Sequence, residues 1–230
     1  MSPVGLPPDL LSAMPARVTP ARVRSPDGKR IAYTVVGGGL FVKDTDATGG
    51  ERELAKYAVP LSWSRDGRIL AFQEGRLFLM PLDGSPPVPV GASVAFPLGA
   101  DISPDGKYVA FASGESGRLE MYVEGIAPER GKWQISANGG VQPRWRRDGK
   151  ELFFLSPDSK MMAVDLQTGS AVTSGIPRIL FETSGSASNR PRSYDVTADG
   201  LRFLIASGAS GTENASITVV LNWWASLKDY

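Results

Sequence analysis

The sequence predicts an all-β fold built from repeated units, and three observations lead to this prediction. An Asp-Gly pair recurs five times, and apolar, strand-like segments follow each pair. The chain also holds 26 Gly and 18 Pro in 230 residues, a composition that favours many turns between short elements. No segment shows a convincing helical period. The five repeats are SPDGKRIAY, SRDGRILAF, SPDGKYVAF, RRDGKELFF and TADGLRFLI, centred on Asp27, Asp66, Asp105, Asp148 and Asp199.

The spacing of the repeats predicts the architecture. Successive aspartates are 39, 39, 43 and 51 residues apart, and a four-stranded propeller blade takes about 40–45 residues. We therefore predict a β-propeller with about five four-stranded blades. The polar segment TSGSASNRPRS, read as one long loop, accounts for the longest interval.

Each Asp-Gly pair is predicted to be a hairpin turn. The aspartate accepts hydrogen bonds from nearby backbone, and the glycine supplies a positive φ. The strand after the turn is apolar at consecutive positions, as in Ile31, Ala32 and Tyr33, so it should be buried on both faces. A second apolar strand follows each time, and weaker fourth strands are predicted at ERELAKY, PVPVG, KWQIS and PRILFE.

The two ends of the chain leave closure of the propeller open. No fourth strand is visible after Trp223, and residues 16–22 (ARVTPAR) could supply it. This divides the chain into an N-terminal segment, 1–21, with a closing strand, and a propeller, 22–230. The alternative is that the chain is a C-terminal part of a larger propeller.

Composition excludes several kinds of chemistry. The chain has no Cys and no His, so it lacks thiol nucleophiles, thiolate metal sites and Ser-His-Asp triads. Its 25 basic and 24 acidic residues give a net charge of +1, which argues against nucleic acid as a partner. No signal peptide or membrane-spanning helix is recognisable, so no direct membrane insertion is expected.

The individual polar motifs have ordinary structural interpretations. The repeated aspartates are interpreted as turn formers, and DTDATGGE from Asp44 as a polar loop, since a calcium loop would need Glu where Ala55 stands. Trp63 and Trp145 occupy equivalent repeat positions and are expected in the core. Beside Trp145, the basic cluster PRWRRDGK could hold an anionic or peptide ligand through its arginines.

The S-P-D-G-K-x-I-A-F repeat resembles the WD40-like repeat of TolB and related bacterial proteins. The block GKWQISANGGVQPRWRRDGKELFFLSPDSKMMAVDLQTG, with PRILFET and ITVVLNWWASLK, resembles the C-terminal propellers of bacterial membrane-bound serine/threonine kinases. The resemblance implies a periplasmic or otherwise extracytoplasmic sensing module beside a fused or associated kinase or membrane segment. It implies no catalytic residue.

These observations together predict non-catalytic recognition of a protein or small-molecule ligand, with no cofactor. The binding loops are expected to lead into Trp63, Ile102, Trp145 and Val196. The candidate ligand-binding residues are Arg144, Arg146, Asp101 and Asp195.

Two alternatives stay open. One is a metal-dependent lyase or lactonase in which Asp101 and Asp195 converge on a metal. The other is a structural docking platform for a fused kinase, with an exposed apolar patch near Trp223 and Trp224.

Overall fold

The chain folds into antiparallel β-sheets, as a computed structural model shows. The structure describes residues 18–35, 37–46, 49–90, 99–128, 131–169, 171–183, 193–207 and 216–221. All regular elements in these ranges are β-strands. No helix in the described part is long and apolar enough to cross a membrane. The chain divides into two compact units, Met1–Ser93 and Val94–Tyr230.

The first unit contains two four-stranded sheets whose strands pair in chain order. The first sheet consists of β1 (Val18–Arg24), β2 (Arg30–Val35), β3 (Gly39–Asp44) and β4 (Arg52–Lys56), and the second of β5 (Val59–Trp63), β6 (Ile69–Gln73), β7 (Arg76–Met80) and β8 (Val88–Val90).

The second unit contains the other three sheets. The third sheet consists of β9 (Ala100–Ile102), β10 (Tyr108–Ser113), β11 (Glu120–Gly125) and β12 (Lys132–Gln134). The fourth consists of β13 (Val141–Trp145), β14 (Glu151–Leu155), β15 (Lys160–Gln167), β16 (Thr173–Ser174) and β17 (Arg178–Glu182), of which β16 and β17 both pair with β15. The fifth consists of β18 (Tyr194–Val196), β19 (Arg202–Ser207) and β20 (Ser216–Leu221).

These five sheets confirm the predicted repeat. Each Asp-Gly pair joins the first strand of a sheet to its second, and the fourth strands of the first four sheets fall at the predicted segments. The end of the fifth sheet, with Trp223 and Trp224, lies outside the described residues, as does most of the TSGSASNRPRS segment.

The Asp-Gly turns have the predicted chemistry. In the third sheet the Gly106 N–H donates to the Ser103 carbonyl (2.9 Å), and Gly106 has a φ of 74°. The Ser103 hydroxyl donates to Asp105 Oδ1 (2.5 Å) and accepts from the Tyr108 N–H (2.9 Å). The serine thus joins the turn to the strand that follows, which explains why Ser or Thr precedes four of the five Asp-Gly pairs by two residues.

A sixth turn of this type was not predicted. It joins the second and third strands of the fourth sheet, where the Ser156 hydroxyl donates to Asp158 Oδ1 (2.5 Å). Ser159 takes the place of the glycine with a φ of 62°. Without the glycine the motif S-P-D-S does not stand out in the sequence.

The sheets bury apolar residues on both faces, as predicted. Every residue of β10 and β14 is buried, and so are the four central residues of β2. Trp63 and Trp145 are buried in the cores of the first and second units, which confirms the expectation for both.

The place of the N-terminal segment differs from the prediction. Residues 16 and 17 lie outside the described part, but Val18–Arg24 forms the first strand of the first sheet and pairs with β2, for example Arg22 opposite Tyr33. The prediction that residues 16–22 complete the fifth sheet is therefore wrong for the described residues. The segment leads directly into the first Asp-Gly turn, at Asp27, as every other first strand leads into its own turn.

Replacing Gly67 by alanine should destabilise the protein by about 1–2 kcal/mol. Gly67 has a φ of 89°, and the left-handed conformation costs an L-residue about that much. No atom lies within 4 Å of the added methyl group, so the cost measures the backbone alone. Gly50→Ala is the matched control, since Gly50 has equal space and no positive φ, and it should change stability by less than about 0.5 kcal/mol. Urea unfolding of both variants tests this, and equal effects would contradict it.

Acid should weaken the turns. Hydrogen bonds from the Arg146 side chain and the Lys150 N–H hold the pKa of Asp148 below its usual value, and those of Asp27, Asp66 and Asp199 shift the same way. A lowered folded-state pKa gives stability that is present above about pH 4 and is lost as the pH falls through the folded pKa. Asp148→Asn should therefore flatten the dependence of unfolding free energy on pH below about 4, with a constant difference from the parent above about pH 5. Denaturant titrations at a series of pH values measure the unfolding free energy of both proteins. A difference between parent and variant that stays constant down to low pH would contradict the prediction.

Candidate functional site

The first strand of each sheet is an edge strand, and three of these five strands carry a proline and a β-bulge. Pro20, Pro60 and Pro143 lie in β1, β5 and β13, and the register of each strand shifts beside its proline. Proline has no N–H to give to a ladder, so a bulge at that point is expected. The first strands β9 and β18 have no proline and no register shift.

In the second unit the edge strand β9 is joined to the edge strand β13 by a side chain. Asp101 Oδ2 accepts a hydrogen bond from the Trp145 backbone N–H (2.9 Å). The Trp145 indole Nε1–H donates to the Asp101 carbonyl (3.3 Å). Asp101 therefore connects the third sheet to the fourth, in place of a backbone ladder between them.

Gln142 makes the corresponding connection from β13 to the fifth sheet. Its Oε1 accepts from the N–H and the hydroxyl of Ser193 (2.7 Å each), and its carbonyl accepts from the Tyr194 hydroxyl (2.8 Å). Gln142 is fully buried and has a φ of 57°, a strained conformation for a residue other than glycine. The bulge beside Pro143 turns this backbone so that side chain and carbonyl both reach the fifth sheet. Sequence analysis did not single out Gln142; a glutamine before a proline in a first strand would have been the signal.

Three of the predicted ligand-binding residues occupy one repeated position. Each of them stands four positions before the aspartate of the Asp-Gly turn. Across the strand pair, Asp101 lies opposite Ala110, Arg144 opposite Phe153 and Asp195 opposite Leu204. We refer to Asp101, Arg144 and Asp195 as the first-strand row. The equivalent residues in the first unit are Val23 and Ser62.

Arg144 lies within strand β13 and is buried, with 5% of its surface exposed. Its Nη1 donates to the Pro143 carbonyl (2.7 Å). Its cross-strand partner Phe153 meets Phe203 of the fifth sheet edge-on, at 5.1 Å between ring centroids. Residues directly opposite each other share a face, so Arg144 lies on the face of the fourth sheet that packs on the fifth. The prediction placed ligand contacts in loops, whereas Arg144 belongs to a strand.

Arg146 is held within the fourth sheet. It forms ion pairs with Asp148 (2.9 Å) and with the buried Glu151 (2.6 Å), which also pairs with Arg178. The attraction of these carboxylates raises the pKa of Arg146, with the hydrogen bond that Arg146 donates to Asp148 as the largest cause. Its charge therefore stabilises the strand that follows the turn.

The two aspartates of the row have different surroundings in the described part of the chain. Asp101 is engaged by Trp145, and Asp195 is an exposed side chain whose Oδ1 accepts from the Val196 N–H (3.0 Å). No cluster of three or more acidic side chains suited to a metal ion occurs among the residues described. Of the DTDATGGE segment, Asp44 ends strand β3, and residues 47 and 48 lie outside the described part.

Comparison with known proteins defines the fold class. No protein-family profile matches the chain, and no curated protein matches it. Solved structures do: TolB from Acinetobacter baumannii is 20% identical with a TM-score of 0.69, over 88% of this chain and 51% of TolB. The chain thus spans about half the length of that protein. The β-propeller domain of Cps50 (Swd1) from Myceliophteria thermophila is 15% identical with a TM-score of 0.58, over 91% of this chain and 84% of that one.

A third similar structure is a puromycin-hydrolysing peptidase from Mycobacterium tuberculosis, 17% identical with a TM-score of 0.61. The match covers 86% of this chain and 35% of the peptidase. At these identities the likeness concerns the fold alone. The chain is an all-β protein of the β-propeller class. More particularly, its propeller fold resembles that of TolB, the fold that its repeat predicted.

Gln142→Ala should destabilise the protein by about 2 kcal/mol or more, because it leaves the buried N–H and hydroxyl of Ser193 without their acceptor. Gln134→Ala is the control, since Gln134 is exposed and its amide meets only the nearby Ser136 carbonyl. Thermal and urea unfolding should separate the two variants clearly. A loss at Gln142 no larger than that at Gln134 would mean that the connection to the fifth sheet is not important for stability.

Proposed function

We propose that this chain is a non-catalytic recognition module that binds a protein or a small ligand through the first-strand row. The observation that carries the proposal is the repeated position of Asp101, Arg144 and Asp195 on three successive first strands. Propellers of the TolB and WD40 kinds, whose fold this chain shares, commonly serve in protein binding.

The charges of the row support a particular class of ligand. A guanidinium binds a carboxylate through a planar fork of donors, and aspartates accept from amide or ammonium groups. Because Oδ2 of Asp101 accepts from the Trp145 N–H, Arg144 and Asp195 are the members of the row proposed to contact the ligand, and their opposite charges suit one that carries both kinds of group, as a peptide or a protein loop does.

The proposal extends to the setting of the module. The resemblance of the Gly131–Gly169 block to kinase-linked propellers favours an extracytoplasmic sensor attached to, or associated with, a membrane-bound kinase. Reading the genomic sequence directly upstream tests this part separately. A kinase domain followed by a membrane helix in the same frame would support it, and an unrelated gene would count against it.

Arg144→Met should weaken ligand binding, while Arg147→Met should leave it unchanged. The probe is an array of short synthetic peptides that vary in charge, with free and blocked termini. Peptides that bind the parent should lose at least about tenfold in affinity with Arg144→Met, a change of about 1.4 kcal/mol. Arg147 is exposed in the adjacent turn, so its replacement removes the same charge without touching the row. Thermal unfolding of both variants checks that they are folded.

Two results would contradict the proposal. One is equal weakening by both substitutions, which would indicate a general charge effect. The other is peptide binding that survives Arg144→Met in a folded protein.

A further inference from the structure

The β-bulge in strand β13 decides on which face of the fourth sheet Arg144 lies. Strand β13 takes three steps from Val141 to Arg144, while its partner β14 takes only two, from Leu155 to Phe153. Side chains alternate between the two faces of a strand, so the extra residue puts Arg144 on the same face as Val141. In a regular strand with the same sequence, Arg144 would lie on the opposite face, away from the fifth sheet.

Gln142 holds this bulge in place through bonds to the fifth sheet. Its φ of 57° is a strained conformation, which persists only where the surrounding contacts enforce it. Those contacts are the N–H and hydroxyl of Ser193 on Gln142 Oε1, and the Tyr194 hydroxyl on the Gln142 carbonyl. The donors are fixed in turn, because all three residues are buried and the Ser193 carbonyl accepts from the Ala206 N–H of β19 (2.8 Å).

The bulge is connected directly to the guanidinium of Arg144. Arg144 Nη1 donates to the carbonyl of Pro143, the residue that lies between Gln142 and Arg144 (2.7 Å). The conformation of Gln142 sets the direction in which the chain enters Pro143, and so the direction of that carbonyl. The Nε atom of Arg144 is buried as well, so the side chain is held along its length.

We propose that Gln142 is the positioning residue of the first-strand row. Its bonds to Ser193 and Tyr194 hold the bulge, and the bulge aims Arg144 for the ligand. The consequence for binding rests on the proposed function, in which Arg144 contacts the ligand. A side chain that is already held in its binding geometry loses less freedom when a ligand arrives. Loss of the anchor should therefore weaken binding although Gln142 itself need not touch the ligand.

Solvent exchange of the Arg144 Nε–H, followed by NMR without any ligand, tests the positioning. The signal is identified by its absence from Arg144→Met. Gln142→Ala should accelerate this exchange at least about tenfold, because the bulge can then open locally and expose the side chain. Tyr194→Phe removes one of the three bonds and is the milder variant, for which a smaller acceleration is expected.

Val164→Ala is the control for lost stability. Val164 is fully buried in β15, opposite Leu152, and its truncation leaves a cavity in the core of the same sheet without touching the bulge. Urea unfolding measures the stability of each variant. Val164→Ala should leave the exchange of the Arg144 Nε–H unchanged under conditions in which every variant is folded.

The same variants are then compared in binding. Peptides that bind the parent should lose at least about fivefold in affinity with Gln142→Ala and keep their affinity with Val164→Ala. In a protein that already carries Arg144→Met, Gln142→Ala should cause no further loss, because the two residues act through one contact.

The two measurements separate this inference from the proposed function. Exchange that stays slow in folded Gln142→Ala and Tyr194→Phe would overturn the inference, whatever the peptides do. Equal acceleration by Val164→Ala, or additive losses of affinity in the double variant, would overturn it too. Fast exchange in Gln142→Ala, together with a parent that binds no peptide, would uphold the positioning of Arg144 and contradict the proposed function instead.

Discussion

The structure depends on how the open edge of each first strand is satisfied. A first strand has a ladder on one side only, and its other edge presents backbone groups that no neighbouring strand in its own sheet can bind. In the second unit, side chains supply the missing partners. Asp101 accepts from the backbone of Trp145, and Gln142 accepts from Ser193. The sheets are therefore joined by a few specific bonds as well as by apolar packing between their faces.

This solution has consequences for chemistry. A strand edge that is satisfied by side chains must carry polar residues at defined register positions, and those residues cannot be part of a purely apolar core. Asp101 and Arg144 are polar residues at such a register position, yet their environments differ. Asp101 binds the backbone of the next first strand directly, whereas Arg144 lies buried on the face toward the fifth sheet. The same register position thus serves connection in one sheet and places a buried charged group on a sheet face in another.

The repeat was predictable because its signal is local. The Asp-Gly pair, the hydroxyl residue two positions before the aspartate and the apolar strand after the glycine lie within nine residues, and the turn uses all of them. The burial of Trp63 and Trp145 followed from their equal positions in the repeat. Gln142 could not be found in this way, since its partner Ser193 is 51 residues distant and its strained backbone depends on a bulge. The position of β1 was missed for a related reason: the sequence marks the turn that follows a first strand but not the strand itself.

The edges formed by the first strands and those formed by the fourth strands pose the same physical problem: both present backbone groups without a ladder partner. The protein deals with them in different ways. The first strands β9, β13 and β18 are joined to one another by hydrogen bonds that require particular side chains, namely those of Asp101 and Gln142. The fourth strands β4, β8 and β12 carry charge, contain proline or are short, which are features that keep a strand edge from pairing with other chains.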